Sequence, residues 1–126
     1  MKIFFSHRML RNEQSTHLYE EIVSLLAEYG EVLTETTNEG IELGYIYERD
    51  TDWVREADVV VAEVTTPSLG VGYEIGLAES LEKRILCIYR EQEDRQLSAM
   101  IAGNRHLSIA EYESVDDIEA IFKDFF

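Results

Sequence analysis

Cysteine, proline and basic residues are all scarce in this 126-residue chain, and each scarcity removes a class of explanation. With a single cysteine, Cys87, no intrachain disulfide forms. Its place in the apolar run Ile85-Leu86-Cys87-Ile88 suits a buried structural thiol better than a nucleophile. His7, His17 and His106 lack the short spacing of metal ligands, so no metal site is expected. One proline and seven glycines exclude a low-complexity or linker-dominated chain. Lys and Arg number 11 against 26 Asp and Glu, for a formal net charge of −15. A surface this acidic repels DNA, RNA and anionic lipid, because affinity for phosphate polymers rests on Lys and Arg. A small phosphorylated ligand survives the same test, since a few local donors outweigh a diffuse field screened over about 8 Å of saline. No apolar run approaches the roughly 20 residues of a membrane helix, and no basic-then-apolar leader is visible, so a cytoplasmic location is expected.

Several signatures are missing as well. The turn after the third predicted strand has neither the G-x-G-x-x-G dinucleotide fingerprint nor a P-loop lysine. There is no Gly-x-Ser-x-Gly elbow for a Ser–His–Asp triad. A phospho-receiver domain needs an acidic pair after its first strand, where this chain has Ser6-His7-Arg8.

What is present is an ordinary globular composition, 45% hydrophobic and 29% charged, in a length that suits one domain over residues 1–126. Lys2 to Ser6 reads as a short buried strand. Leu18, Ile22, Leu25, Leu26 and Tyr29 recur at helical intervals within Glu13 to Tyr29, and Gly30 follows as a C-cap. Glu31 to Thr34 is a second strand. Asn38 to Tyr47, with Gly40 and Gly44, reads as loop or short helix and is the natural source of any lid. Glu48 to Ala57 reads as helix with Trp53 and Val54 inward. Asp58 to Val64 is β-branched and nearly continuous, as a central parallel strand should be. A turn over Thr65 to Gly72, a helix from Val71 to Lys83 and a strand over Arg84 to Tyr89 follow. Arg95 to Ala102 is expected to be helical, Arg105 to Ser108 a fifth strand, and Val115 to Phe125 a closing helix.

This alternation predicts an α/β fold: a flavodoxin-like, five-stranded parallel sheet of order 2-1-3-4-5 with helices on both faces. Ligands in such sheets bind at the carboxyl ends of the strands, near the switch between the first and third. That rule selects Ser6 to Arg8, Glu63 to Gly72 and the region after Tyr89.

In Thr66-Pro67-Ser68-Leu69-Gly70-Val71-Gly72-Tyr73-Glu74, Gly70 and Gly72 allow close approach of backbone N–H groups, and a helix N-terminus favours an anion. Ser68 offers its hydroxyl to a phosphate or to the helix as a cap. Glu74 falls in the expected first turn, where the helix dipole keeps a carboxylate ionised, as a nucleophile requires. The same position also suits a plain surface acid. Asp50 and Asp52 either start a helix or bring a second carboxylate; two carboxyls at one pocket match glycosidic chemistry, one attacking the anomeric carbon and the other protonating the leaving group.

The segment Ala57-Asp58-Val59-Val60-Val61-Ala62-Glu63-Val64, followed by Pro67 to Glu74, closely resembles the 2′-deoxynucleoside 5′-phosphate N-hydrolases, relatives of the nucleoside 2-deoxyribosyltransferases. The likeness continues through Lys83-Arg84-Ile85-Leu86-Cys87 and Leu97-Ser98-Ala99-Met100-Ile101, and returns in Leu18 to Val23 and Val32 to Glu35. The resemblance implies hydrolysis of the N-glycosidic bond of a nucleoside 5′-monophosphate, with no metal or redox cofactor. It makes Glu74 the nucleophile of a covalent glycosyl-enzyme intermediate and Asp50 the acid that assists the departing base. It assigns Ser68, Gly70 and Gly72 to the 5′-phosphate, with Ser6 and Arg8 contributing from the opening loop and His7 touching sugar or base. Ser98 matches a serine supplied by a neighbouring subunit, which implies a homodimer. The opening strand departs from the family in having Ile3-Phe4-Phe5 where a Tyr near the sugar is usual, and the loop reads His7-Arg8-Met9-Leu10-Arg11 instead of being Gly-rich. Tyr45 and Tyr47 are candidates to replace that Tyr. A cytidylate-cleaving branch resembles the same motifs, so neither base nor sugar preference follows. A base-exchanging deoxyribosyltransferase and a non-catalytic nucleotide-binding module are the alternatives.

Overall fold

In the computed structural model, which describes residues 1–9 and 13–126, five strands and five helices alternate among the described residues. They run β1 (Lys2–Ser6), α1 (Glu13–Leu26), β2 (Glu31–Leu33), α2 (Leu43–Glu56), β3 (Val59–Glu63), α3 (Leu69–Ser80), β4 (Arg84–Tyr89), α4 (Ala99–Ala102), β5 (Ser108–Glu111) and α5 (Val115–Phe125). All strand pairs are parallel, and the order is β2-β1-β3-β4-β5, as expected from the sequence. Leu10 and Arg11 of the opening loop lie outside the described residues.

Alternation along each strand sends side chains to opposite faces. Ile3, Phe5, Val59, Val61, Leu86 and Ile88 meet α1 and α5 on one side. Phe4, Val60, Ala62, Ile85 and Cys87 meet α2 and α3 on the other. Cys87 is buried as a free thiol, and burial pushes its pKa up to about 12. Among the described residues no helix is long and apolar enough to cross a membrane.

Several boundaries differ from the sequence reading, and four of the differences have a local structural reason. The second helix starts at Leu43 instead of Glu48. Ile46, Asp50, Val54 and Ala57 form one inward stripe at helical spacing that the neighbouring glycines obscured. Gly30 is no left-handed cap: a Cβ there would stand 2.3 Å from the Met1 carbonyl oxygen, so glycine permits the close approach of the chain at the start of β2. The expected helix over Arg95 to Ala102 shrinks to α4, because Gln92 and Arg95 are spent in an antiparallel bridge and Ser98 caps only a single turn. The fifth strand slides to Ser108–Glu111, where Ile109 and Ala110 bring apolar side chains beside Cys87 and Ile88. Arg105 and His106 offer none.

Candidate active site

Three elements deliver polar side chains to one place at the carboxyl end of the sheet. Ser6 ends β1 on the same face as Phe4, so it points toward α2 and α3. Asp50 lies one turn before Val54 on the inward stripe of α2 and is 7% exposed. Glu74 lies between Val71 and Ala78 on the inward stripe of α3. The helix begins at Leu69, two residues earlier than expected, so Glu74 falls in its second turn.

That position reverses the expected electrostatics. Glu74 is not held ionised by the helix end; burial pushes its pKa up to about 7. Ser6 works against burial, its Oγ donating to Glu74 Oε1 at 2.7 Å, while the charges of Asp50 and Glu35 push the pKa further up and Arg49 draws it down. A carboxyl poised near neutrality in this way is a recurrent mark of functional sites.

Arg49 escaped the sequence reading, and Glu35 entered it only as the end of a stretch resembling the family, with no role of its own. Arg49 Nε donates to Asp50 Oδ1 at 2.9 Å, and its Nη2 donates to Glu35 Oε2 at 2.9 Å and to Asn38 Oδ1 at 2.8 Å. Asn38 Nδ2 closes the circuit on Glu35 Oε2 at 2.8 Å. The guanidinium also rests 4.9 Å from the centre of the Trp53 ring. Glu35 has a raised pKa, chiefly from burial. Its signal was available in principle: it stands just past β2 at the carboxyl end of the sheet, two residues beyond Leu33.

The remaining candidates are placed as follows. The Ser6 hydroxyl, expected at a phosphate, is committed to Glu74, and the residue is 1% exposed. His7 is buried between the rings of Phe5 and Tyr19, with centroids 5.0 and 4.4 Å away. Its Nδ1 and Nε2 face the carbonyl oxygens of Arg8 and Glu35 at 3.1 and 3.3 Å. A cavity of about 360 Å³ opens beside it, lined also by Tyr19, Thr34 and Glu35. Arg8 is exposed. Ser68 caps α3 by accepting from the Val71 N–H at 3.3 Å. Gly70 and Gly72 are exposed on the first turn, and a Cβ on Gly72 would meet nothing within 4 Å. Ser98 caps α4, accepting from the Met100 N–H at 3.2 Å. A wide groove of about 710 Å³ brings Ser68, Gly72 and Ser98 together, but Glu74, Asp50 and Ser6 do not line it. Tyr45 and Tyr47 are exposed on α2, and Tyr47 meets Tyr73 edge-on. Among the described residues no group of His, Cys, Asp and Glu has the arrangement of a metal site.

Comparison with known proteins adds a family to this geometry. The family model described as nucleoside 2-deoxyribosyltransferase matches residues 3–115. A 5-hydroxymethyl-dUMP N-hydrolase from Tetraodon nigroviridis is 41% identical, the match covering 100% of this chain and 97% of the relative. The protein of that name from Homo sapiens is 42% identical, over 98% of this chain and 78% of its own. Among solved structures, a CMP N-glycosidase from Clostridium botulinum superposes with a TM-score of 0.80 at 21% identity, covering 100% of both chains. A 2-deoxyribosyltransferase from Bacillus psychrosaccharolyticus gives 0.70 at 17% identity, covering 94% of this chain and 90% of the other.

Proposed function

The chain belongs to the nucleoside 2-deoxyribosyltransferase family, and we propose that it is a hydrolase of that family, cleaving the N-glycosidic bond of a nucleoside 5′-monophosphate. The observation that carries this reading is the convergence of Glu74, Asp50 and Ser6 at the carboxyl end of the sheet, with Glu74 poised near neutrality. The names of relatives matched over 78 to 97% of their own length point to hydrolysis of a nucleotide in place of base exchange.

Glu74, in its ionised form, attacks the anomeric carbon. As the C1′–N bond breaks, its electron pair passes to the base nitrogen, and Asp50 supplies the proton that neutralises it. Water then adds its oxygen and one hydrogen to the anomeric carbon, returns its other proton to Asp50 and releases Glu74 as a carboxylate, leaving free base and a (deoxy)ribose 5-phosphate. Ser6 holds the attacking carboxylate in one orientation. The phosphate is assigned to the N-terminal turn of α3, with Ser68, Gly70 and Gly72, and to Arg8, where it anchors the substrate away from the reacting bond. No cofactor is needed for these steps.

A homodimer belongs to the same reading. Leu69, Tyr73 and Met100 are 96, 57 and 81% exposed, an apolar set around the groove that holds Ser68 and Ser98. A second copy covering it would shield those side chains and bring its own Ser98 to the neighbouring phosphate site. Light scattering at micromolar concentration tests this; a fully active monomer would overturn it.

Incubation with each ribo- and deoxyribonucleoside 5′-monophosphate, followed by chromatography for free base, tests the activity. Release from one or a few substrates is the expected result and identifies base and sugar together. Base exchange on unphosphorylated nucleosides would favour a transferase. Tight binding without release would favour a binding module.

A further inference from the structure

The departing base takes a proton from Asp50, and the arrangement around that carboxyl points to where the proton is kept. Two N–H groups of the one Arg49 guanidinium draw the Glu35 and Asp50 carboxyls together, and a side-chain hydrogen bond with Asp50 is among the causes that raise the Glu35 pKa. Two ionised carboxylates only accept hydrogen bonds and repel, so such a contact is favourable only with a proton between them. Arg49 ties one oxygen of each, Nε to Asp50 Oδ1 and Nη2 to Glu35 Oε2, both at 2.9 Å. Asn38 braces both Glu35 and Arg49 from the loop before α2. The single positive charge of Arg49 balances one negative charge, the net charge of a carboxylic acid–carboxylate pair.

Resting on the N-glycosidase reading, we propose that Glu35 and Asp50, clamped by Arg49, share one proton that Asp50 delivers to the leaving base and Glu35 restores. Glu35 is the positioning residue of the pair, acting through Asp50. As the C1′–N bond breaks, the proton held between the two carboxyls passes through Asp50 to the base nitrogen, leaving both carboxyls ionised beside Arg49. The water that cleaves the glycosyl–Glu74 ester gives its oxygen and one hydrogen to the sugar and returns its other proton to the pair. The cycle thus closes with water as its only consumed co-reactant. The groups that face Glu35 suit such a relay. Asp50 and Arg49 approach from α2, Asn38 from the loop before it, Glu74 from α3, and the His7 ring meets the Glu35 carbonyl. Burial favours the protonated form of Glu35, and its hydrogen-bonding and coulombic interactions with Asp50 add to that preference.

The experiment compares two leaving groups. Glu35→Gln keeps shape and hydrogen-bonding capacity but has no proton to give. On a nucleotide substrate its kcat is expected to fall about 100-fold with KM within about threefold. On a 4-nitrophenyl glycoside of (deoxy)ribose 5-phosphate, whose leaving group departs as an anion, it is expected to match the unaltered protein. Glu35→Asp, which retains a titratable carboxyl, should restore part of the lost kcat. Equal losses on both substrates would reduce Glu35 to a structural part, and no loss on either would remove it from the reaction; both overturn the proposal. If the unaltered protein releases neither base nor nitrophenolate, the N-glycosidase reading itself fails. Carbon-13 NMR of the side-chain carboxyls then decides the shared proton. Two linked titration steps that collapse to one in Glu35→Gln uphold it, and independent single steps overturn it.

Discussion

Two carboxylates, Glu63 buried and Glu74 half-buried, stand on opposite faces of the same end of the sheet, and they are treated in opposite ways. Glu63, the last residue of β3, is 6% exposed and fully engaged. It accepts from the Thr65 N–H and the Thr65 hydroxyl at 2.8 Å each, and from the Tyr112 hydroxyl. The network extends outward, since the Arg90 N–H donates to Thr65 Oγ1 and the Arg90 guanidinium lies 5.2 Å from the centre of the Tyr112 ring. Glu74 has one hydroxyl, Ser6, and sits near the further carboxyls of Asp50 and Glu35. Both acids are similarly placed, but one has its acceptors filled by donors while the other is left short of donors and near like charges. The first arrangement locks a loop in place. The second keeps a carboxyl reactive at neutral pH, at a cost to stability.

The contrast can be broken most severely through activity. Glu74→Ala is expected to lower kcat/KM at least about 1,000-fold while the protein stays folded by circular dichroism. Glu63→Ala should do the reverse. Leaving Tyr112 and Thr65 without their acceptor is expected to cost about 3 kcal/mol in urea unfolding, with kcat changed less than about threefold. A third measurement sharpens the difference. Because the folded state raises the Glu74 pKa from 4.5 to about 7, folding holds its proton more tightly. The ionised side chain therefore opposes folding above pH 7, opposes it progressively less as pH falls to 4.5, and has no such effect below. Glu74→Gln should thus stabilise the protein at pH 8, by at most about 3 kcal/mol, and lose that advantage at pH 4. Matching unfolding midpoints of the two proteins at pH 8 would contradict the strain assigned to Glu74. The smallest effect is expected of Ser6→Ala. Removing a donor to the ionised carboxylate raises the Glu74 pKa, so the acid limb of the pH–rate profile should move to higher pH. Activity at pH 7 should fall about threefold to tenfold and recover above pH 8.

These two acids also mark how far the chain could be read before its structure. Glu63 ends a β-branched run and Glu74 follows a Gly-rich turn, so both positions and the strand order around them were legible from residue pattern. The shift of Glu74 to the second turn was not, because the residue pattern left Ser68 open between a phosphate and the helix cap, and only the structure shows it accepting from the Val71 N–H. That difference of two residues changed an acid expected to be ionised at a helix end into one half-neutral and half-buried. The roles of Glu35 and Arg49 were passed over for a similar reason. Neither carries a motif, and their meaning comes from partners 14 residues apart in sequence that meet at 2.9 Å.

Period-two and helical hydrophobic patterns, together with the alternation of strand and helix, dictated the parallel sheet, its order and the edge at which a site would form. These follow from local geometry, which any short stretch of chain carries in its own residues. The charge state of Glu74, the commitment of the Ser6 hydroxyl and the Arg49 clamp on Glu35 and Asp50 arose only when α2, α3 and the end of β1 met. Desolvation and Coulomb forces act through space between groups distant along the chain, so no local pattern encodes them.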